Sequence, residues 1–487
     1  MSPWLVIGIL AAYFALLLGI ARLTGDDSNS SFFLGKKESP WYIVAFGMIG
    51  SSLSGVTFIS VPGWVASSQF SYFQMVLGYL PGYLIIATVL MSLYYPLTLT
   101  SIYTDLSDRF GFWSYKSGAF YFLLSRLIGS AFRLYLVAIV LEYAVFTRLN
   151  MQVPFIVTVT LTIALIWLYT HKGGIKTIIW TDTLQTACML LAVGFTVYVI
   201  ASDLGVASLP ALIHKISENP MSETFFWSDW NDNKHFMKNF LGGTFIAIVM
   251  TGLDQDMMQK NLSCRNIKDA QKNVLGFSIV LLFANLMFLS LGVLLYEYAF
   301  LKGIAIPEKS DYLYPIIAME GYLGVGVAIF FILGLVAAAY SSADSALTAL
   351  TTSVCVDFLE IDKKAEAQQL KTRKRVHLWV SLVLVVLITL FKLINDESVV
   401  SALFTVAGFT YGPLLGMYAF GLFTRLKIND KYIVWVVIAA PILTFILKKY
   451  SVSLLNGYQF GFELILLNGA LTFIGMLLIS SKILTVK

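Results

Sequence analysis

Ala338, Ser341, Ser342 and Ser345 recur at i, i+3, i+4 and i+7 within the stretch Gly334 to Ser345. At helical spacing these residues share one face. The stretch lies inside a long apolar run, Tyr322 to Phe358, that reads as a membrane-spanning helix. Hydroxyls, together with a carbonyl freed nearby, are hard oxygen ligands that suit Na⁺ rather than a transition metal. Small residues also let another backbone come close. On this stretch alone a packing face between helices is the preferred reading, and the rest of the chain changes that balance.

A second stretch carries related chemistry. Gly47-Met48-Ile49-Gly50-Ser51-Ser52-Leu53-Ser54-Gly55-Val56-Thr57, followed by Val61-Pro62-Gly63, places glycine and serine densely inside a span. This pattern points to unwinding around a site; the alternative is a helix packed tightly on its neighbours. Intramembrane charge is costly and is by default a functional hypothesis. With the loops assigned as below, Arg126 and Arg133 are the basic residues left within spans, and Glu142, Asp182, Asp254 and Asp344 the acidic ones. A guanidinium suits a carboxylate bidentately. An arginine here either takes an anionic substrate or pairs internally with Glu142, Asp182 or Asp344, leaving the substrate neutral.

The elements that position these groups follow from composition. The 487 residues are 58% hydrophobic and 13% charged, with mean hydropathy +0.79, a balance that implies a polytopic membrane protein in the lipid bilayer. The first run, Trp4 to Ile20, lacks a basic leader and a small-residue cleavage site, so it reads as a retained span. Cys188, Cys264 and Cys355 give neither a disulfide framework nor metal-ligand spacing. The histidines, His171, His214, His235 and His377, fall in loops or at span ends, which speaks against an intramembrane metalloenzyme. The net charge of +5 reflects loop placement and does not imply nucleic acid.

Thirteen runs can cross the membrane, near 3–22, 41–67, 72–100, 115–147, 152–170, 174–203, 238–258, 274–301, 322–356, 375–393, 398–423, 430–447 and 462–482. An odd number puts the termini on opposite sides. The loops on one side hold 22 Lys and Arg, the opposite loops 9. The positive-inside rule then places the N-terminus outside and the C-terminus in the cytoplasm. The densest basic loop, Lys363-Lys364 with Lys371, Arg373, Lys374 and Arg375, reads as a topology anchor. The expected organisation is a leading helix and loop (1–40), two five-helix blocks (41–203 and 238–423) separated by an external loop (204–237), and two trailing helices (424–487). Blocks of five helices insert with opposite topology, the logic of inverted-repeat secondary transporters.

Three further patterns join the serine face: Gly173-Gly174-Ile175-Lys176 leading into Trp180-Thr181-Asp182-Thr183-Leu184-Gln185-Thr186; Asp254-Gln255-Asp256-Met257-Met258-Gln259-Lys260-Asn261-Leu262; and Gly412-Pro413 before Gly416 and Gly421-Leu422-Phe423. Together they resemble the sodium:solute symporter family over nearly the whole chain. The Trp-Thr-Asp-Thr-Leu-Gln and Ala-x-x-Ser-Ser runs are its more specific marks. The resemblance implies an all-α integral membrane protein with a LeuT-type 5+5 inverted-repeat core and about thirteen transmembrane helices. It implies a main Na⁺ site from the carbonyls of Gly50, Leu53 and Ala338 and the hydroxyls of Ser341 and Ser342. Some members have a second Na⁺ site, which here would use Asp182, Ser342 and Ser345. Asp344 departs from the serine of two-site relatives and puts the stoichiometry in question; it would face an inward vestibule or pair with a basic residue.

Substrate contacts are less defined. Sugar-transporting relatives carry a Glu-Gln pair where this chain has Val56 and Thr57, so galactose-type contacts are missing. Sialic acid relatives carry small hydroxyl residues there, resembling Ser52, Ser54 and Thr57, and an arginine on the third core helix, where Arg133 lies. Gln74 and Asp254 are further polar contacts by the same resemblance, although Asp254 could instead anchor a helix end. Trp64, Phe70, Tyr72, Phe73, Tyr79 and Tyr83 flank the cavity or form an interface belt. The expected activity is Na⁺-coupled symport of a small polar organic solute, a sugar or sugar-acid such as sialic acid, by a monomer in a plasma membrane, with no catalytic residues. An amino acid, small carboxylate or inositol is the alternative solute, and H⁺ the alternative coupling ion. A channel would need a continuous polar lining. A sensor would need a signalling domain, which is not expected here.

Overall fold

The computed structural model describes residues 3–25, 28–95, 101–142, 146, 151–171, 174–206, 208–394 and 399–483; side chains of 393–402 and 481–483 are outside the description. Gly173 of the Gly-Gly motif and Arg148 lie outside the described residues. A chain this apolar must satisfy its backbone polar groups internally in lipid, and helices do so segment by segment. The spans form α1 (Pro3–Thr24), α2 (Trp41–Ser68), α3 (Ser71–Ile85), α4 (Phe112–Leu141), α5 (Phe155–Thr170), α6 (Gly174–Asp203), α7 (Phe236–Ala247), α8 (Gln255–Leu262), α9 (Ile267–Lys302), α10 (Gly324–Ser353), α11 (Glu366–Ile394), α12 (Val399–Thr410), α13 (Gly412–Phe423), α14 (Ile433–Leu454) and α15 (Leu464–Leu478). Among the described residues, nine helices are long and apolar enough to cross a membrane; α7–α8 and α12–α13 are bent pairs, at 64° and 42°, and α5 and α15 are shorter apolar helices. Each expected span therefore has a helix. Two short strands join the expected helices: β1 (Leu426–Ile428) pairs antiparallel with β2 (Ser480–Ile483), outside the helical layers.

Burial sorts the helices into centre and periphery. In α2, 83% of the most apolar window is buried, against 22% in α1 and in the span containing α14. The outer helices keep Leu16, Trp435, Ile442 and Phe445 exposed, as lipid-facing side chains would be. At the centre α2 lies against α6, α9 and α10, and α10 packs along α6. Close crossings rely on small residues. Gly78 of α3 and Gly243 of α7 are reciprocal: a Cβ on Gly78 would run into the carbonyl of Phe240, and one on Gly243 into that of Met75.

Two breaks dominate the core. In α2, Ser54 takes φ +40° and ψ 172°, a conformation that costs an L-residue roughly 1–3 kcal/mol. Pro62 follows about two turns later, and the Gly63 carbonyl accepts the Tyr296 hydroxyl at 2.6 Å. In the α7–α8 pair, the helix stops at Gly252 and restarts after Asp254, which caps α8 through the amides of Asp256 (3.0 Å) and Met257 (3.3 Å). Breaks thus fall within α2 and within the α7–α8 pair. The Gly/Ser density announced the first; the second is announced only by Asp254 as an N-cap.

The basic run at 371–375 is helical, not loop, since α11 begins at Glu366. Arg373 is fully buried, over the Phe32 ring and bonded to Asn29. His377 is likewise buried, between Thr170 and Thr351, two turns along from the serine face of α10. Both positions depart from the reading of loops and span ends. One turn of α11 tucks under α2's approach and so takes its polar residues inside.

Candidate functional site

The α2 break makes chemistry available. A helix end leaves its last four carbonyls without intrahelical amides, and the four residues before the break are Gly50, Ser51, Ser52 and Leu53. The serine face of α10 meets this end. Ser342 Oγ donates to the Ser51 carbonyl at 3.3 Å, and Ser341 Oγ donates to the Ala338 carbonyl at 3.2 Å. Gly50 donates its amide to Thr186 Oγ1 of α6 at 2.9 Å; a Cβ on Gly50 would lie 2.5 Å from that oxygen and 3.5 Å from Ser341 Oγ. Gly50, Ser341 and Ser342 are therefore brought together, and Leu53 and Ala338 are buried beside them. The donors are neutral oxygens with weak mutual hydrogen bonds, a set that fits a hard monovalent cation.

One turn further along α10 the charges gather. Asp182 of α6 is fully buried, and its Oδ2 accepts Ser51 Oγ at 2.9 Å and Ser345 Oγ at 3.5 Å. Lys260 of α8 donates to the same oxygen at 2.7 Å and also reaches Ser51 Oγ. Lys260 is 1% exposed. By sequence it falls among the loop charges; α8 instead folds it against Ser51 of α2. The signal was the Asp256/Lys260 spacing of i, i+4 on a segment that also carries two glutamines. Asp344 faces neither a vestibule nor a basic partner in hydrogen-bond range. It is buried, accepting Tyr169 Oη at 2.8 Å and the Ser345 amide at 2.6 Å.

On the other side of the break is a cavity lined by Ser51, Ser52, Ser54, Thr57, Tyr72, Tyr79, Tyr83, Arg126, Arg133, Thr251, Asn285 and Phe404, among others. Four of the six sequence-derived substrate residues, Ser52, Ser54, Thr57 and Arg133, line it. Gln74 does not: its amide donates to the Lys234 carbonyl at 2.8 Å and accepts the Phe226 amide at 3.2 Å, tying α3 to the 204–237 loop. Asp254 does not either. Besides capping α8 it accepts Tyr411 Oη at 2.5 Å and lies 3.9 Å from Arg126. Thr251 and Asn285 were not anticipated. Asn285 sits in an apolar run of α9, and its Oδ1 is buried without a partner among the described residues.

The two arginines divide in role. Arg126 is paired with Asp256 and faces Asp254. Glu142, one of its expected partners, bonds Lys392 at 2.9 Å instead. Arg133 is 7% exposed, and no hydrogen bond or ion pair reaches it among the described residues; its Nε is buried and unpaired. A buried guanidinium beside a cavity, with no hydrogen-bonded carboxylate among the described residues, has the chemistry to take an anion.

Comparison with known proteins shows the family and the fold. The chain is 24% identical to the sodium/sialic acid symporter NanT of Aliivibrio fischeri, over 84% of this chain and 81% of that protein. It is 24% identical to the human sodium/iodide cotransporter, over 84% of this chain and 63% of that protein. The solved structure of a Na⁺-coupled sialic acid symporter in a substrate-bound, outward-open state superposes with TM-score 0.80 at 19% identity, covering 97% of both chains, and shares the LeuT-like fold. The model of the sodium:solute symporter family matches residues 32–440, and the chain belongs to that family of sodium-coupled transporters.

Proposed function

We propose that this symporter couples Na⁺ entry to import of a small organic anion, a sugar acid such as sialic acid being the favoured class. The observation that carries the reading is Arg133, a buried guanidinium lining the cavity with no hydrogen-bonded or ion-paired carboxylate among the described residues. A carboxylate would take its bidentate face. The remainder of the solute would meet Ser52, Ser54 and Thr57, the unpartnered Asn285 Oδ1, and the rings of Tyr72, Tyr79 and Tyr83. Hydroxyls of a sugar acid supply the donors that Asn285 Oδ1 lacks. The solutes for which the two relatives above are named, sialic acid and iodide, are both anions.

Na⁺ binds at the carbonyls of Gly50, Leu53 and Ala338 and the hydroxyls of Ser341 and Ser342 in this reading. Its support is the meeting of the α2 break with the α10 serine face. The ion ties α2 to α10 and so completes the wall that carries Ser52 and Ser54. Solute binding then favours closure. By linkage, Na⁺ and solute tighten each other's binding by equal factors. Beyond the cavity lies a polar layer: Arg126 with Asp256, Tyr411 with Asp254, Tyr103 Oη to the Leu253 carbonyl (2.9 Å) and the Ile102 amide to Gln255 (3.0 Å). With the basic loops cytoplasmic, this layer is the inner gate. The chain then works as a monomer in a bacterial inner membrane, N-terminus outside, with 41–203 and 238–423 as the rocking repeats around the site.

Uptake into proteoliposomes tests this. Labelled sialic acid, hexoses, inositol and small carboxylates are offered with and without an inward Na⁺ gradient. An anion accumulating only with Na⁺ is expected. Accumulation of a neutral sugar instead would make Arg133 structural, and movement driven only by a proton gradient would sink the Ser341/Ser342 site.

A further inference from the structure

The second Na⁺ position of two-ion relatives would use Asp182, Ser342 and Ser345, and in this chain a side chain already holds it. Asp182 Oδ2, the oxygen nearest Ser345, accepts the Lys260 ammonium at 2.7 Å. Ser51 Oγ, the adjacent hydroxyl, takes the same ammonium. Ser342 donates to the Ser51 carbonyl and not to Asp182. An ammonium and Na⁺ carry one charge each and want the same partners, a carboxylate and neutral lone pairs. An ion on Asp182 Oδ2 would have to sit against Lys260 in a site buried from solvent, where like charges repel strongly. Asp182 Oδ1 has no partner among the described residues, but an ion on it would face the same ammonium across one carboxylate, so the residues present fit a second Na⁺ poorly.

We propose that the Lys260 ammonium is a tethered cation filling the second ion position, so that this chain binds one Na⁺ per cycle. The inference rests on the main-site reading above. Lys260 is carried by α8, the distal half of the broken α7–α8 pair, so its charge stays with the protein when the solute leaves. Asp344 adds no free ligand to this position: its oxygens are taken by Tyr169 and by Ser345.

Radiosodium binding to the purified full-length chain, which needs no solute, tests the count. One Na⁺ per chain is expected for the wild type, two for Lys260→Ala, in which Asp182 is vacated, and one again for the double variant D182N/K260M. The Hill coefficient for Na⁺ should follow, near one, toward two, and near one. Two ions on the wild type, or one on Lys260→Ala, overturns the proposal. If Lys260→Ala does not fold, the wild-type count and the charge-neutral double variant decide: a double variant that binds no Na⁺ overturns it. Ser342→Ala separates the two readings. Unchanged Na⁺ affinity in Ser342→Ala breaks the main-site reading, while a wild-type count of two breaks only the lysine proposal.

Discussion

Lys260 and Arg133 are both buried cations set around the broken helix α2, and they are treated in opposite ways. Lys260 is closed in by Asp182 and Ser51. Arg133 is given a cavity and no hydrogen-bonded anion among the described residues. Burying a charge is tolerable only when it is paired. The first cation is therefore complete in the protein alone, and in the proposed function the solute completes the second. The difference teaches where to read function in a membrane core: in the charge that the fold leaves unanswered.

Breaking the closed pair should have the largest effect. Asp182→Asn leaves the Lys260 ammonium without its carboxylate, a loss of about 3–5 kcal/mol, read as a lower melting temperature in detergent; D182N/K260M should recover most of it. Melting of Asp182→Asn like the wild type would mean that the pair holds nothing. Opening the other cation should act on transport instead. Arg133→Ala is expected to lower apparent affinity for an anionic solute by roughly thirtyfold or more, about 2 kcal/mol, with Na⁺ binding retained; Arg133→Lys should restore little, since one ammonium cannot replace the fork. Equal solute affinity in both variants would remove Arg133 from the site.

Smaller effects sharpen the contrast. Ser342→Ala removes one neutral ligand and should raise the half-saturating Na⁺ concentration about tenfold, about 1.4 kcal/mol, with the fold intact by thermal melting. Gln74→Ala loses contacts to the Lys234 carbonyl and the Phe226 amide, so about 1 kcal/mol of stability should go while solute affinity stays. A selective rise in KM would return Gln74 to the substrate site. Least of all, Cys264 should resist maleimide at neutral pH until the protein is denatured, because burial pushes its thiol up to about 12.

Much of this protein was legible without coordinates because lipid imposes strong rules. Spans must be apolar and long, and each of the thirteen runs carries a helix. The Gly50–Gly55 density marked a break that Ser54 makes, and the 3,4 spacing of Ala338, Ser341, Ser342 and Ser345 marked the face that meets it. Those are local properties: a helix's period and a residue's φ/ψ preference are written within a few positions. What only the tertiary structure decided is which charge meets which. Lys260 and Asp182 are 78 positions apart, and Lys260 reads as a loop cation until the α7–α8 bend turns it inward. Gln74 and Asp254, polar residues near a cavity in sequence, are spent on a loop carbonyl and a helix cap. Pairing depends on the direction of a side chain across helices, and a 3.6-residue period carries no information about the neighbour it will face.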